Sequence, residues 1–361
     1  MEHSNNHVSM AWNGIYGQRA VGPRLAVLNS LDRVREILDN HTDSIEPGGV
    51  FGMADYGCAD GLLSLPVITA ASEYARGREC RDISVYLNDL PTADFNTLFS
   101  VLNADQLSRD TGIASCVLAA GGSFTNRVLP RASVDFGFSA SSMHYLEHFP
   151  PDATDAIHEV FLDDGAIKEN VLKQAGQAWL DILRSREQEL KPGGNLVFLL
   201  LGRDEQGRYL GSTQGASMFQ AYQEAWDRLF AASGITQDEY QQVFFLHRFR
   251  TTEEIQRGVE QVRREGVALQ LLGIETVITS CPIAAAFRRH HDERRFAQEF
   301  VDSHWTWTEH AFRHALQSRA AEEAQQILDD LYRDMVQIVA ADPLSYRMDL
   351  VHHRVVLHKN R

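Results

Sequence analysis

"YLNDLPTADFNTLF", Tyr86 to Phe99, opens apolar, turns acidic at Asp89 and meets Pro91 before a helical pattern starts at Asp94. The stretch reads as the last residues of a strand, "DISVYLND", followed by a helix, "DFNTLFSVLN". In an open α/β sheet the carboxyl edge of the strands is where ligands bind. The chain therefore raises the question of what Asp89 holds. Upstream, "GGVFGMADYG" has the pattern of a first strand and "LLSLPVITAASEYARG" that of the helix after it. Downstream, "ASCVLAAG" and "SVDFGFSAS" read as strands three and four. "IKENVLKQAGQAWLDILRSREQEL" has helical spacing throughout, and "KPGGNLVFLLLG" reads as a turn into another strand. Strands that alternate with helices imply an α/β fold with a doubly wound, mostly parallel sheet.

After Arg203 the pattern changes. Ser212 to Arg264 reads as mostly helical, "VALQLLGIETVIT" as a strand, Arg288 to Val339 as helical again and "VHHRVVLHK" as a closing strand. The two helical stretches are expected to form an α-helical cap inserted into one core and laid over the strand edge. The expected division is 1–203 for an N-terminal segment and nucleoside-binding core, 204–264 and 288–340 for the cap, and 265–287 and 341–361 for returning core strands.

Composition narrows the function. The chain has 361 residues, 44% of them hydrophobic, enough for a sizeable core. Its net charge of -15 repels phosphate backbones and anionic membranes, so no nucleic-acid partner is expected. The longest apolar run, "LVFLLL", is far too short to cross a bilayer, and a soluble cytoplasmic protein is expected. Cys58, Cys80, Cys116 and Cys281 are widely spaced and form no C-x-x-C pair, which favours reduced, mostly buried thiols over a zinc site or disulfides.

The first chemical motif is "ADYGCADG", Ala54 to Gly61. A strand ending in Asp55 leads into Gly57, where a missing side chain lets backbone approach a ligand, and Gly61 permits the turn into a helix. The G-x-G-x-x-G spacing of a dinucleotide site is absent. Alone, this could be a tight βα turn without a ligand. Together with Asp89, a carboxylate placed to accept hydrogen bonds from ribose hydroxyls, it favours an adenosine-type ligand.

Four segments in order now carry a family resemblance. "ADYGCADG", "VYLNDLPTADFNTLF", "GGSFTNRVLPRASVDFGFSASSMHYL" and "QELKPGGNLVFLLLGR" resemble the motifs of the SABATH family of S-adenosylmethionine-dependent carboxyl methyltransferases, over roughly residues 10 to 203. The resemblance implies a Rossmann-like methyltransferase fold that uses S-adenosyl-L-methionine and releases S-adenosyl-L-homocysteine. It also implies a small-molecule carboxylic acid as substrate and a homodimer. Position by position, it implies that Asp55 and Gly57 lie along the methionine part of the cofactor. Asp89 and Leu90 would take the ribose and one adenine face, Ser123 and Phe124 would close on the adenine, and Ser139 would approach from the fourth strand. Tyr16 matches the tyrosine of an N-terminal lid. Taken by itself, Phe124 is equally a core aromatic.

At the substrate end the family's His-Trp pair is His144-Tyr145 here, and a phenol can still donate a hydrogen bond. These two are the catalytic and substrate-orienting residues the resemblance implies. The family's salicylate methyltransferases also use a lysine and a glutamine. The matching positions lie near Val8 and Pro23, neither of which donates from its side chain, so recognition leans on His144, Tyr145, an unaligned residue such as Arg19, or the cap. Met218, Phe219 and Trp305 are the cap residues expected to line the pocket, with core packing as the alternative. A carboxylate is ionised at neutral pH and needs no general base; for a phenol or a ring nitrogen, His144 would be the base. His310 and His314, like His144 and His148, are four apart as in zinc sites, but no third ligand stands out and no metal is expected. Transfer to a heterocycle nitrogen or hydroxyl, and a cofactor-binding protein without turnover, remain open beside the carboxyl reading.

Overall fold

The computed structural model describes residues 17, 20–41, 45, 47–148 and 154–360. Its elements, in chain order, begin with α1 (Val21–His41), β1 (Val50–Tyr56), α2 (Leu65–Gly77), β2 (Asp82–Asp89), α3 (Phe95–Val101), α4 (Ala104–Thr111), β3 (Ala114–Gly121) and β4 (Val134–Ala140). They continue with α5 (Ala166–Glu189), β5 (Leu190–Leu201), α6 (Met218–Ala231), α7 (Gln237–Gln241), α8 (Thr252–Arg264) and β6 (Leu269–Thr279). The last are α9 (Pro282–His290), α10 (Glu293–Ala315), α11 (Ala321–Ala341) and β7 (Leu350–Lys359). The strands form one sheet in the order β3-β2-β1-β4-β5-β7-β6. The first five run parallel; β7 pairs antiparallel with both β5 and β6.

Side chains alternate across this sheet, as the strand period of two requires. From β1, Phe51 and Met53 pack with Val34 of α1 and Ile68 of α2 on one face, while Ala54 and Tyr56 join Trp179 of α5 and Val262 of α8 on the other. Buried on both faces, the central strands have to be nearly continuous in hydrophobicity. A separate apolar cluster joins α6, α10 and α11 through Phe219, Trp226, Phe300, Phe312 and Leu331.

Three expectations change. "KPGG" is not a turn before the strand but a bulge within it: Val134 pairs with Leu190, then Phe136 with Asn195. Gly193 takes φ 84°, and Lys191 is anchored to Asp135 at 2.6 Å across the gap. The stretch expected to be helical from Ser212 to Arg264 contains extended chain between α7 and α8, bridged at Phe245 to His158, at His247 to Tyr145 and at Arg250 to Gly202. The helical run from Arg288 is broken at His291, which adopts φ 54° and ends α9. Among the described residues no helix is long and apolar enough to cross a membrane. Cys116 is exposed on the edge strand β3, whereas Cys58 and Cys281 are buried.

Candidate active site

Parallel pairing sets Tyr56 beside Asn88 at the carboxyl edge, so Asp55 and Asp89 end up at the same rim of the sheet. Asp89 accepts hydrogen bonds from the Ala59 and Leu90 amides, each at 2.7 Å. Burial nevertheless raises its carboxyl above the usual range. Asp55 is 1% exposed and its Oδ2 has no hydrogen-bond partner. Burial, opposed by a hydrogen bond with Ser64 and reinforced by the charge of Asp89, pushes Asp55 up to about 7.

Asn88, quoted in the opening stretch but given no role there, ties this rim together. Its carbonyl accepts from Gly57 and Cys58, and its side-chain amide donates to the carbonyls of Ala120 and Gly122. The turn after β1 and the loop after β3 are thus hung on one residue. That loop carries Ser123 and Phe124. Ser123 donates to Glu147 and lies 2.8 Å from the Thr125 hydroxyl, while half-buried Phe124 packs on the sheet. The fully buried Arg186–Glu189 pair pins the same loop from behind. Arg186 donates to the Phe124 and Asn126 carbonyls, and Glu189 accepts from the Val128 and Leu129 amides and from the Tyr56 hydroxyl.

Gly57 has φ 77°, and a Cβ there would meet Ser142 Oγ at 2.4 Å. The close approach that needs glycine is thus with Ser142, and Gly61 likewise takes φ 76° against Leu98 and Leu102. Ser139, expected to face the ligand, instead donates to the Tyr56 carbonyl at 2.7 Å and is 1% exposed. Ser142 donates to the same carbonyl at 2.9 Å. The two hydroxyls lock the end of β4 to the turn after β1.

Continuing that loop, Ser141, His144 and Tyr145 form the polar wall of a cavity. Its other walls come from element ends, Val21 and Pro23 of α1, Leu201 of β5, Cys281 and Ile283 at α9 and Leu350 of β7, and from Ser303 and Trp307 in the middle of α10. The cavity volume is about 80 Å³, several times the roughly 10–15 Å³ that one water needs, so it has room for more than a trapped solvent molecule. Its wall contains no lysine or arginine among the described residues.

The cap residues expected there are placed differently. Phe219 is fully buried one layer back, its ring 4.1 Å from that of His158. Met218 is fully buried at the start of α6, and Trp305 packs on Tyr222 and Tyr332. Trp307, two positions on and hence turned to another side of α10, faces the cavity instead. Helical spacing marks a face but not which face meets the site. Tyr16, Val8 and Arg19 lie outside the described residues.

Behind the polar wall stand further imidazoles. The His144 ring centre is 4.4 Å from Tyr145 and 5.1 Å from His247, and His247 is 4.7 Å from Tyr145, 5.7 Å from His158 and 5.8 Å from Trp307. Burial holds His144 and His158 well below the usual imidazole range and brings His247 to about 3. Neighbouring imidazoles and Arg250 add to the effect on His144. All three are therefore neutral at physiological pH. The segment carrying His247, expected to be helical, has a two-residue alternation, Phe245, His247, Phe249, as its one sequence signal: the rings of His247 and Phe249 both meet His144 and His158, and Phe245 stacks on His247. Among the described residues no group of three or more His, Cys, Asp or Glu is arranged to hold a metal ion.

A family model described as "SAM dependent carboxyl methyltransferase" matches residues 26–360. The chain belongs to this family. The chain is 28% identical over 239 residues to indole-3-acetate O-methyltransferase 1 of Arabidopsis thaliana, covering 59% of this chain and 61% of that one. It is 34% identical over 167 residues to a probable 7-methylxanthine methyltransferase of Camellia ptilophylla, 41% of this chain and 45% of the relative. The matched stretches thus span less than two thirds of either relative's length. In fold, the chain resembles the solved loganic acid methyltransferase with S-adenosylhomocysteine at a TM-score of 0.77, 17% identity, 98% of this chain and 99% of that one. Its cofactor is S-adenosylmethionine. The residues at the rim suit that group: a buried Asp55 oxygen without a partner for an ammonium donor, the Asp89 carboxylate for hydroxyls, and the partly exposed side chains of Leu90 and Phe124 for a flat apolar ring.

Proposed function

We propose that the protein transfers a methyl group from S-adenosylmethionine to the carboxylate of a small acid with an apolar body, giving the methyl ester and S-adenosylhomocysteine. One observation carries the reading: a single loop, residues 141–145, forms the polar wall of the cavity and, through Ser142, touches the Gly57 turn. Asp55 and Gly57 would hold the methionine portion of the cofactor, Asp89 and Leu90 the ribose and adenine, and Ser123 and Phe124 the far side of the adenine, with Tyr16 in a lid. When bound, the cofactor supplies an electrophilic methyl on a sulfonium.

The chain's own task is then placement. A carboxylate is already ionised. Holding its oxygen roughly 3–3.5 Å from the methyl, in line and out of water, supplies most of what the reaction needs. His144, neutral by burial, and Tyr145 would each donate a hydrogen bond to the acid, and the aliphatic wall with Trp307 would seat its apolar body. Among the described residues the wall offers no lysine or arginine, so the donors it supplies to the acid are neutral. The proposal includes a homodimer, as the family resemblance implies, and a cytoplasmic setting, in keeping with four free cysteines.

The match to a xanthine methyltransferase keeps a second reading open, methylation of a ring nitrogen or hydroxyl. Purified protein with methyl-labelled S-adenosylmethionine and a panel of indole-3-acetate, benzoate, a dicarboxylate and 7-methylxanthine decides. Base-labile label on the monocarboxylates is the expected result. Base-stable label on the xanthine overturns it in favour of the second reading, and cofactor binding without turnover on any of them makes the protein a binder.

A further inference from the structure

His247 lies outside the cavity wall yet touches both residues assigned to the substrate carboxylate. Its backbone bridges antiparallel to Tyr145, flanked by hydrogen bonds from Leu146 to the Leu246 carbonyl and from Arg248 to the His144 carbonyl, each at 2.7 Å. The register of the two segments is therefore fixed, and so is the distance between their side chains. The rings of His144 and His247 have centres 5.1 Å apart at 63°. A hydrogen bond of about 2.9–3.0 Å between nitrogens of two facing rings sets their centres roughly 5 Å apart.

The nitrogens tell the rest. Nδ1 of His144 and Nδ1 of His247 are both buried without a hydrogen-bond partner. Leaving buried polar atoms unpaired is unfavourable. A half-turn of an imidazole about its Cβ–Cγ bond exchanges nitrogen for carbon within the same ring outline, so the pair can be joined without displacing Tyr145, Trp307 or Phe249 around it. A neutral imidazole carries one N–H. For His144 to present that N–H to a carboxylate in the cavity, its inner nitrogen has to be the acceptor, and an acceptor needs a donor behind it.

We propose that His247 is a positioning residue that donates an N–H to the inner nitrogen of His144, fixing the tautomer in which the outer nitrogen of His144 donates to the substrate carboxylate. This rests on the reading of His144 as a group facing the acid. It suits a wall that has no cation among its described residues: the second imidazole keeps the first one's proton on the cavity side.

The test is the ring ¹⁵N spectrum of full-length protein labelled at histidine, with the His144 signals identified by their loss in His144→Gln. The expected result is one His144 tautomer, protonated at the nitrogen facing the cavity. In His247→Phe, which keeps a flat ring and removes both nitrogens, the two tautomers mix. KM for the panel acid that is turned over rises about tenfold, the worth of one uncharged hydrogen bond, with cofactor affinity unchanged. His247→Gln, which keeps a donor, restores most of both readouts. A wild-type His144 protonated on its inner nitrogen overturns the proposal, and so does a His247→Phe variant with unaltered tautomer and KM. The wild-type spectrum decides by itself if His247→Phe does not fold. Because it needs no substrate, failure of every acid in the panel removes the carboxylate reading while the tautomer is still judged separately.

Discussion

The rim proposed to take the cofactor and the chamber beside it are built by opposite means. At the rim, position is enforced by charge and backbone hydrogen bonds: Asp89 on two amides, Asn88 on two loops, Arg186 and Glu189 holding the Phe124 loop. In the chamber, position is enforced by packed rings, and the titratable groups are kept neutral. The difference fits what each end is proposed to hold. A cationic, polyhydroxylated cofactor needs fixed acceptors, while a carboxylate can be oriented by a few donors once water is excluded.

The largest expected effect sits behind the rim. Replacing Arg186 by Met leaves Glu189 buried without its cation and should cost about 3–5 kcal/mol of stability by urea unfolding; a loss under about 1 kcal/mol would mean the pair does not hold the loop.

The two ends should also respond to pH with opposite sign in the ligand-free protein. Asp55 sits at about 7 against an ordinary 3.8, so between those values the folded chain keeps a proton that the unfolded chain has lost. Its contribution is full at acid pH and disappears as pH rises toward 7. His247, His304 and His352 are depressed from 6.5 to about 3, so the unfolded chain takes up protons the folded chain refuses, and stability falls as pH drops through that window. Asp55→Asn should flatten the first trend and His247→Phe weaken the second, each by up to about 1.4 kcal/mol per pH unit. Unfolding curves at pH 5 and 7 measure both, and slopes of the same sign would break the contrast.

Binding comes next in size. Asp89→Ala should weaken S-adenosylhomocysteine about a hundredfold by calorimetry, as two charge-assisted contacts are lost, and leave the chamber's acid preference unchanged. Tyr145→Phe should do the reverse, lowering turnover about tenfold for want of one donor with cofactor affinity intact. The smallest change is expected from Trp307→Ala, a shift of a few-fold in KM toward bulkier acids. Equal effects of Asp89→Ala and Tyr145→Phe on both ligands would erase the distinction between rim and chamber.

The rim was the more legible end because its chemistry is local. Asp55, Gly57 and Asp89 stand at strand ends whose positions hydrophobic patterning reveals, and a βα turn places them with few alternatives. The roles of Asn88 and Arg186 were not visible, since their partners are far along the chain, 34 and 62 residues away in the longest cases. The chamber's wall was legible as far as His144 and Tyr145 line it, since they follow β4 directly. It was misjudged at Met218, Phe219 and Trp305, where a helical aromatic stripe says that a face is buried without saying against what.

From its order of residues alone, this chain dictates the alternation of strands and helices, the acidic rim and the glycine turns, because these depend on periodicity and on backbone freedom within a few residues. Only the folded molecule decides that Gly57 makes room for Ser142, that Trp307 and not Trp305 faces the cavity, and that His247 comes to lie against His144. Those outcomes depend on which distant segments share a contact, and neither propensity nor spacing carries that information.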